Sequence, residues 1–400
     1  MDSFEHRLRS VDWGRYHHAY GPADDVPELL LAVSNADRDV EAFSSATSAL
    51  WGNVFHQGTR WGVTAKTVPF FIELLTAGPQ SVRAKRFLVT YLHHLALGYP
   101  QSVFPGHFPL GEVMATASEL EAMGLPQRAL EGDVFGDDLP DDVRAVQDRV
   151  GAVWERDCFL AVERGVPSVL KLLEADDDGL VCDAIAFLAS FPGQRAVSSP
   201  ALWALAKDPA ATGLRGKALV ALARLGVDVI EPARVLMDAD DGLDGLYAAC
   251  AEIVGSADPS EIARRRLVQV PANQSEQACA FTGSVMNLVA WCVEKAPPSD
   301  SGLAFKQLES MLVHAKGYQK LGVLSQLLKL AFPERPGVLE RLRNRVFSGP
   351  SFTPMQRQAL EAIVEHAMWE DGLVFGNQNE VFRAHGLPST REELRALLVK

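Results

Sequence analysis

The apolar positions of this chain fall into short runs at helical spacing, each separated from the next by a turn rich in Asp, Asn, Gly or Pro. "DDVPELLLAV" at 24–33, "KTVPFFIELL" at 66–75 and "RGVPSVLKLL" at 164–173 share Val-Pro followed by a dense apolar stripe. Proline is tolerated in the first turn of a helix, where its missing N–H would have had no acceptor. Val26-Pro27, Val68-Pro69 and Val166-Pro167 therefore predict helix starts, with Pro232 in "EPARVLMDADDG" a degenerate fourth copy. Each is followed by a polar turn and a second amphipathic segment. Three of these second segments open on Gly-Leu, at Gly179-Leu180, Gly213-Leu214 and Gly242-Leu243. "VCDAIAFLASF", "RGKALVALARLG" and "DGLYAACAEIVG" carry small and branched residues at i, i+3, i+4, the pattern of a helix packed on its neighbours. No strand-like alternation of any length competes.

A helix pair of this length cannot bury its apolar face alone and must stack on the next. The expected architecture is all-α, an α-solenoid built as a right-handed superhelix of antiparallel helix pairs. Four regions follow: regular pairs over 1–98, an irregular insertion or expanded repeat with a protruding loop over 99–150, regular pairs over 151–260, and degenerate pairs ending in a capping helix over 261–400. The insertion is marked by Pro, Gly and acids in "GYPQSVFPGHFPLG" and "EGDVFGDDLPDDVRAVQDRVG". Its segments "LGEVMATASELEAMG" and "PDDVRAVQDRVGAVWERDCFLAVERG" still read as helical.

Charge narrows the partners. Thirty-eight Lys and Arg against 51 Asp and Glu give a net charge of -13, which repels phosphate backbones and anionic membranes and suits a basic protein. Two short basic clusters, Arg264, Arg265, Arg266 and Arg341, Arg343, Arg345, read as solvated helix faces. No uncharged run approaches a membrane span, and "MDSFEHRLRSVDWGRYHHAYG" lacks the apolar core of a signal peptide. Five cysteines, Cys158, Cys182, Cys250, Cys279 and Cys292, stand singly in apolar contexts, as buried thiols in a reducing compartment do. Cytoplasmic residence is the expectation.

Candidate chemistry concentrates in "HQGTRW", an inter-repeat loop in which His56, Gln57, Thr59, Arg60 and Trp61 crowd together. His56 has the chemistry of a general base, Arg60 that of an anion clamp and Thr59 that of a donor. No Ser, Cys or Asp lies at a spacing that completes a triad, so no catalytic residue is assigned. The competing reading is a corner fixed by its own hydrogen bonds, with two tryptophans packed on adjoining helices. Asp137, Asp138, Asp141 and Asp142 concentrate negative charge in the insertion, either as a solvated face or as an epitope for a basic partner. His17-His18 and His93-His94, read as helical neighbours about 100° apart, cannot chelate one metal through both rings. "DADDGLDGLYAA" places Ala249 where a calcium loop needs a bidentate Glu, so the acidic turns read as helix caps. No metal or cofactor is implied. The oligomeric state is left open.

The recurrence of "VPxLLxLL", an Asp-rich turn and an Ala/Leu second helix resembles the HEAT-repeat family over residues 22–98 and 160–256. "AYGPADDVPELL", "HQGTRW" and "GLPSTREELRALL" are similar to segments of bacterial HEAT-like proteins, some of which resemble toxin-neutralising immunity proteins. The resemblance implies a non-catalytic scaffold that binds a protein on its concave or loop-edge surface. It also admits an enzymatic alternative, since DNA glycosylases and bilin lyases are built on HEAT-like folds.

Overall fold

The computed structural model describes residues 3–100, 107–135, 138–270, 274, 277–294, 301–332, 352–369 and 375–399. Asp137 and the cluster Arg341, Arg343, Arg345 lie outside them. The architecture is all-α: among the described residues the strands are two antiparallel ladders of two residues each, β1 (His17–His18) with β2 (Gly21–Pro22) and β3 (Ala278–Cys279) with β4 (Gly283–Ser284). No helix among these residues is long and apolar enough to cross a membrane. The chain divides into two compact units, Met1–Asp208 and Pro209–Lys400.

In the first unit a short α1 (Phe4–Arg9) precedes α2 (Val26–Ser34) and α3 (Val40–Gly52), which pack on each other. Val26, Leu30 and Val33 bury one face of α2, and Phe43, Ala46 and Leu50 one face of α3, the i, i+3, i+4 register that the apolar pattern predicts. Each fully buried side chain of this kind contributes about 1.5–3 kcal/mol of transfer free energy. Asp39 caps α3 by accepting from the Ala42 N–H at 2.9 Å. The next pair is α4 (Thr64–Ala77) and α5 (Val82–Leu97).

Val68-Pro69 does not start a helix. The helix α4 begins at Thr64, because Thr64, Thr67, Val68 and Phe71 already form its buried stripe, and Pro69 rides on the exposed face. There it removes one hydrogen bond without presenting its ring to the core. Val26-Pro27 and Val166-Pro167 do open helices.

After α5 the insertion supplies α6 (Leu110–Met123), which lays Val113, Ala117 and Leu120 against α7 (Gly151–Glu163). Asp141–Arg144 forms a separate short helical turn, so the long helix expected from "PDDVRAVQDRVGAVWERDCFLAVERG" is broken before Gly151. The buried face of α7 comprises Val153, Trp154, Cys158, Phe159 and Val162, and it is covered by α4, α5 and α6 together. The unit closes with α8 (Val166–Leu170), α9 (Asp178–Leu188) and α10 (Arg195–Lys207); α9 packs on α5, with Asp177 capping it through the Leu180 N–H at 2.7 Å.

In the second unit α11 (Arg215–Arg224) and α12 (Ile230–Ala239) both pack on α13 (Leu243–Gly255), whose residues from Asp244 to Ile253 are all buried. A helix buried all round needs its polar residues satisfied internally. Glu252, fully buried, accepts from Arg234, the Ser260 N–H and the Ser260 hydroxyl. Asp244, 2% exposed, accepts from the Gly213 N–H at 2.8 Å and the Gly216 N–H at 3.0 Å, so it caps α11 from the neighbouring helix. The helices α14 (Glu261–Val268), α15 (Val285–Glu294), α16 (Ser301–His314) and α17 (Gly317–Ala331) follow, then α18 (Pro354–His366), α19 (Phe375–Ala384) and α20 (Arg391–Val399). A capping box at Thr353 and Gln356 starts α18.

Asp244→Ala removes two N–H partners from the start of α11 and is expected to destabilise the protein by about 2–3 kcal/mol. A urea midpoint unchanged from wild type would refute that role.

Candidate functional site

The corner between α3 and α4 is a tight hairpin turn. Gln57 and Gly58 both take positive φ, 50° and 88°, and the His56 and Thr59 backbones pair across them. Two consecutive positive φ values define the turn that matches strand twist, and glycine suits its second position best. A Cβ on Gly58 would also lie 2.7 Å from the Tyr99 ring. Thr64 then locks the corner: its buried hydroxyl accepts from the Trp61 N–H and donates to the Val54 carbonyl, both at 2.8 Å. Gly62 lets the chain pass against the insertion, since a Cβ there would sit 2.3 Å from the Glu131 carbonyl.

The N-terminal hairpin joins this corner. The His17 N–H donates to the Glu131 carbonyl at 2.8 Å, and the His17 carbonyl accepts from the Val63 N–H. Arg15 pairs with the Glu131 carboxylate. His18 Nε2 and Asn53 Nδ2 both meet Asp25, at 3.0 and 2.8 Å. His17-His18 is thus a strand rather than a helical pair, and its side chains diverge across the ladder. His93 and His94 are helical and separately bonded, His93 to Ser190 and His94 to the Thr90 carbonyl. Among the described residues no group of three or more His, Cys, Asp or Glu is placed to hold a metal ion.

The predicted site residues separate into two roles. His56 Nδ1 lies 2.9 Å from the Gly52 carbonyl with its ring edge-on to Tyr20, and Trp61 packs between Phe135 and Trp154 at 5.3 and 6.2 Å. Trp51 meets Phe55, Tyr91 and His94 edge-on. These residues build the corner. Gln57 and Thr59 are exposed on the rim of an open cleft of about 390 Å³, and Arg60 lies at its floor. The other walls are Leu97, Gly98 and Tyr99 at the end of α5, Phe108 and Pro109, and Gly151 and Glu155 on α7. Asp138, Asp141 and Asp142 are exposed, and Asp142 accepts from the Val143 N–H of its own turn.

Arg60 is the unusual group. Only 4% exposed, it donates from Nη1 to the Gly58 carbonyl at 2.6 Å and holds its guanidinium 5.7 Å from the centre of the Phe108 ring. Its counter-ion is Glu155, with Oε1 2.8 Å from Nη2. That oxygen lies off the N–H axes, so the ion pair supplies charge compensation without an aligned hydrogen bond, and both Nε and Nη2 are left without one. An unmade bond on a buried charged donor costs about 1–3 kcal/mol. Burial lowers the affinity of the guanidinium for its proton, and Glu155 offsets part of that effect. Cys158, one turn along α7, is fully buried, which raises its thiol pKa far above the reactive range, with Arg60 pulling the other way. It is a packing residue, not a nucleophile.

Sequence reasoning found Arg60 and missed Glu155, Tyr99, Phe108 and Gly151. The available signal was that a buried arginine demands an acid, and Glu155 follows the buried Trp154 on an amphipathic helix. The basic cluster of α14 is consumed locally: Arg264 donates to the Pro259 carbonyl, Arg265 pairs with Glu261, and Arg266 binds the Met237 carbonyl and Asp241. It borders a smaller groove of about 170 Å³ lined by Ile253, Leu267, Val293 and Leu303.

No protein-family model matches the chain, and no curated protein sequence matches it. Among solved structures, the crystal structure of an engineered protein aligns over 93% of this chain and 98% of its own, at 14% identity and a TM-score of 0.27. A likeness that low supports no statement about fold or function.

Two outcomes test the corner. Thr64→Val strips partners from the buried Trp61 N–H and Val54 carbonyl and is expected to cost about 1–3 kcal/mol in denaturant unfolding; a neutral result would mean the corner is held elsewhere. Burial also lowers the pKa of His94 below its ordinary 6.5. The unfolded chain therefore binds the proton first, and His94 lowers stability as pH falls through about 6.5 while contributing nothing to pH dependence well above it. The loss of thermal stability between pH 7 and pH 5 is expected to shrink in His94→Gln; an identical loss would exclude His94 as its source.

Proposed function

We propose that the chain is a non-catalytic protein-binding module whose first unit recognises a basic protein. The supporting observation is the distribution of charge between the units. Residues 1–208 carry 29 Asp and Glu against 17 Lys and Arg, a net -12 of the chain's -13, while residues 209–400 are nearly balanced at 22 against 21. Within the first unit the arginines are largely engaged: Arg7 with Glu73, Arg86 with Asp183, Arg128 with Asp133, Arg149 with Glu119, and Arg156 with Glu121 and Asp157. Exposed carboxylates such as Asp24, Asp138, Asp141 and Asp142 are left to set the outward potential. A field of that sign accelerates encounter with a cationic partner and disfavours nucleic acid.

The helix pairs and their Asp caps are compatible with a HEAT-like solenoid, and the immunity-protein reading is its sharper form: an acidic surface that occludes the active site of a basic toxin. The nucleic-acid and lyase alternatives have no comparable support. Among the described residues the Arg264–Arg266 cluster is engaged by neighbouring carbonyls and carboxylates, and the larger cleft is lined by an ion pair as well as apolar groups.

The test is capture by the full chain at low and high salt, with wild type and the triple variant Asp138→Asn, Asp141→Asn, Asp142→Asn. A single strongly basic protein, lost at high salt and reduced severalfold by the triple variant, is the expected result. Recovery of nucleic acid, or of a partner indifferent to salt and to the variant, would overturn the proposal.

A further inference from the structure

The two halves of the Arg60–Glu155 pair differ in what they show to solvent. The guanidinium is closed: its Nε and Nη2 are buried, and Nη2 faces Glu155 Oε1 at 2.8 Å. The carboxylate is not, since the Glu155 side chain is 34% exposed and lines the open cleft of about 390 Å³. A group entering the cleft therefore meets the negative half of the pair. Around it stand acceptors and aromatic surface. Gln57 and Thr59 are exposed on the rim, and Tyr99, 47% exposed, and Phe108 form part of the wall. Among the described residues that line the cleft, Arg60 is the one Lys or Arg.

Such a lining selects a cation. A positive group on the side of the carboxylate away from Nη2 sits roughly twice as far from the guanidinium of Arg60 as from the carboxylate, so attraction exceeds repulsion. The net -12 of the surrounding unit acts in the same direction. A guanidinium suits the cleft better than an ammonium, because its fork of N–H donors can serve carboxylate, hydroxyl and amide oxygens together and its weakly hydrated plane packs on aromatic rings. Leu97 and Pro109 match the aliphatic stem of the same side chain. Arginines seated in partly aromatic pockets are frequent hot spots of protein interfaces.

We propose that this cleft anchors an arginine side chain of the basic partner, its guanidinium on Glu155 and against Tyr99 and its stem along Leu97 and Pro109. The assignment rests on the protein-binding reading of the first unit for the source of that arginine. Arg60 is a positioning residue here: it holds Glu155 at the cleft through their ion pair and does not touch the incoming side chain. The exposed acids of the outer surface steer the partner, and the cleft fixes where it docks.

The experiment is a ligand-detected NMR titration of the full chain with the α-N-acetyl amides of arginine, lysine, norleucine and glutamate as probes. The arginine amide is expected to bind saturably, the lysine amide severalfold more weakly, and the norleucine and glutamate amides at least about tenfold more weakly. Glu155→Gln is expected to abolish arginine binding. That variant also strands the charge of Arg60, so Gly151→Leu serves should it fail to fold. A Cβ at Gly151 meets nothing within 4 Å, and the added side chain fills the cleft while Glu155 and Arg60 stay paired. Loss of arginine binding in Gly151→Leu supports the assignment. Equal binding of the lysine or norleucine amide, undiminished binding in Gly151→Leu, or no saturable arginine binding at all would each overturn it. The two readings fail separately. Arginine-amide binding by a chain that captures no basic protein would overturn the partner and leave the arginine site standing. A captured basic protein whose recovery is undiminished in Gly151→Leu would overturn the site and leave the partner standing.

Discussion

The placement of α7 is the constraint on which the first unit depends. Trp154, Cys158 and Phe159 can be removed from water only if this helix is covered on several sides, and α4, α5 and α6 supply that cover. Once those side chains are buried, helical geometry leaves Glu155 facing the corner at Arg60, and Trp154 stacks on Trp61. A hydrophobic requirement thereby fixes an electrostatic contact. The order of causes matters, because burial of the apolar stripe supplies the free energy and the ion pair only has to avoid losing it.

The same logic distinguishes two kinds of carboxylate, the buried pair Asp244 and Glu252 and the half-buried Glu155. Glu252 and Asp244 in the second unit are surrounded by donors from neighbouring elements, so they join helices without an orphaned charge. Glu155 and Arg60 compensate each other in charge, yet the buried Nε and Nη2 of the guanidinium make no aligned hydrogen bond. Saturated networks of the first type specify packing.

Helix type and order were legible because the apolar stripes repeat at 3.6 residues and the Asp-rich turns are strong caps; Asp39 and Asp177 do cap the helices that follow them. Val68-Pro69 misled because a proline on an exposed helical face is tolerated in the second turn, and nothing local separates that case from a first-turn proline. His17-His18 was read as helical because a two-residue ladder has no periodicity to detect. In "HQGTRW" the polar crowding was visible, but the partner that gives Arg60 its character lies on α7, beyond the irregular insertion. Pairings across that distance are set by packing, and no local pattern in the sequence encodes them.

The chain emerges from its N-terminus, and several of its oldest residues wait for partners made much later. Arg15 meets Glu131 across 116 positions, Arg86 meets Asp183 across 97, and His93 meets Ser190 across 97. Contacts so distant in sequence carry a loop-closure cost before any of them is rewarded. During synthesis Arg15 and the His17 N–H stay without their Glu131 partners until the insertion has left the ribosome. Maturation of the unit is therefore timed by its middle segment, and a ribosome stalled before Glu131 would expose an apolar surface that the finished protein never shows.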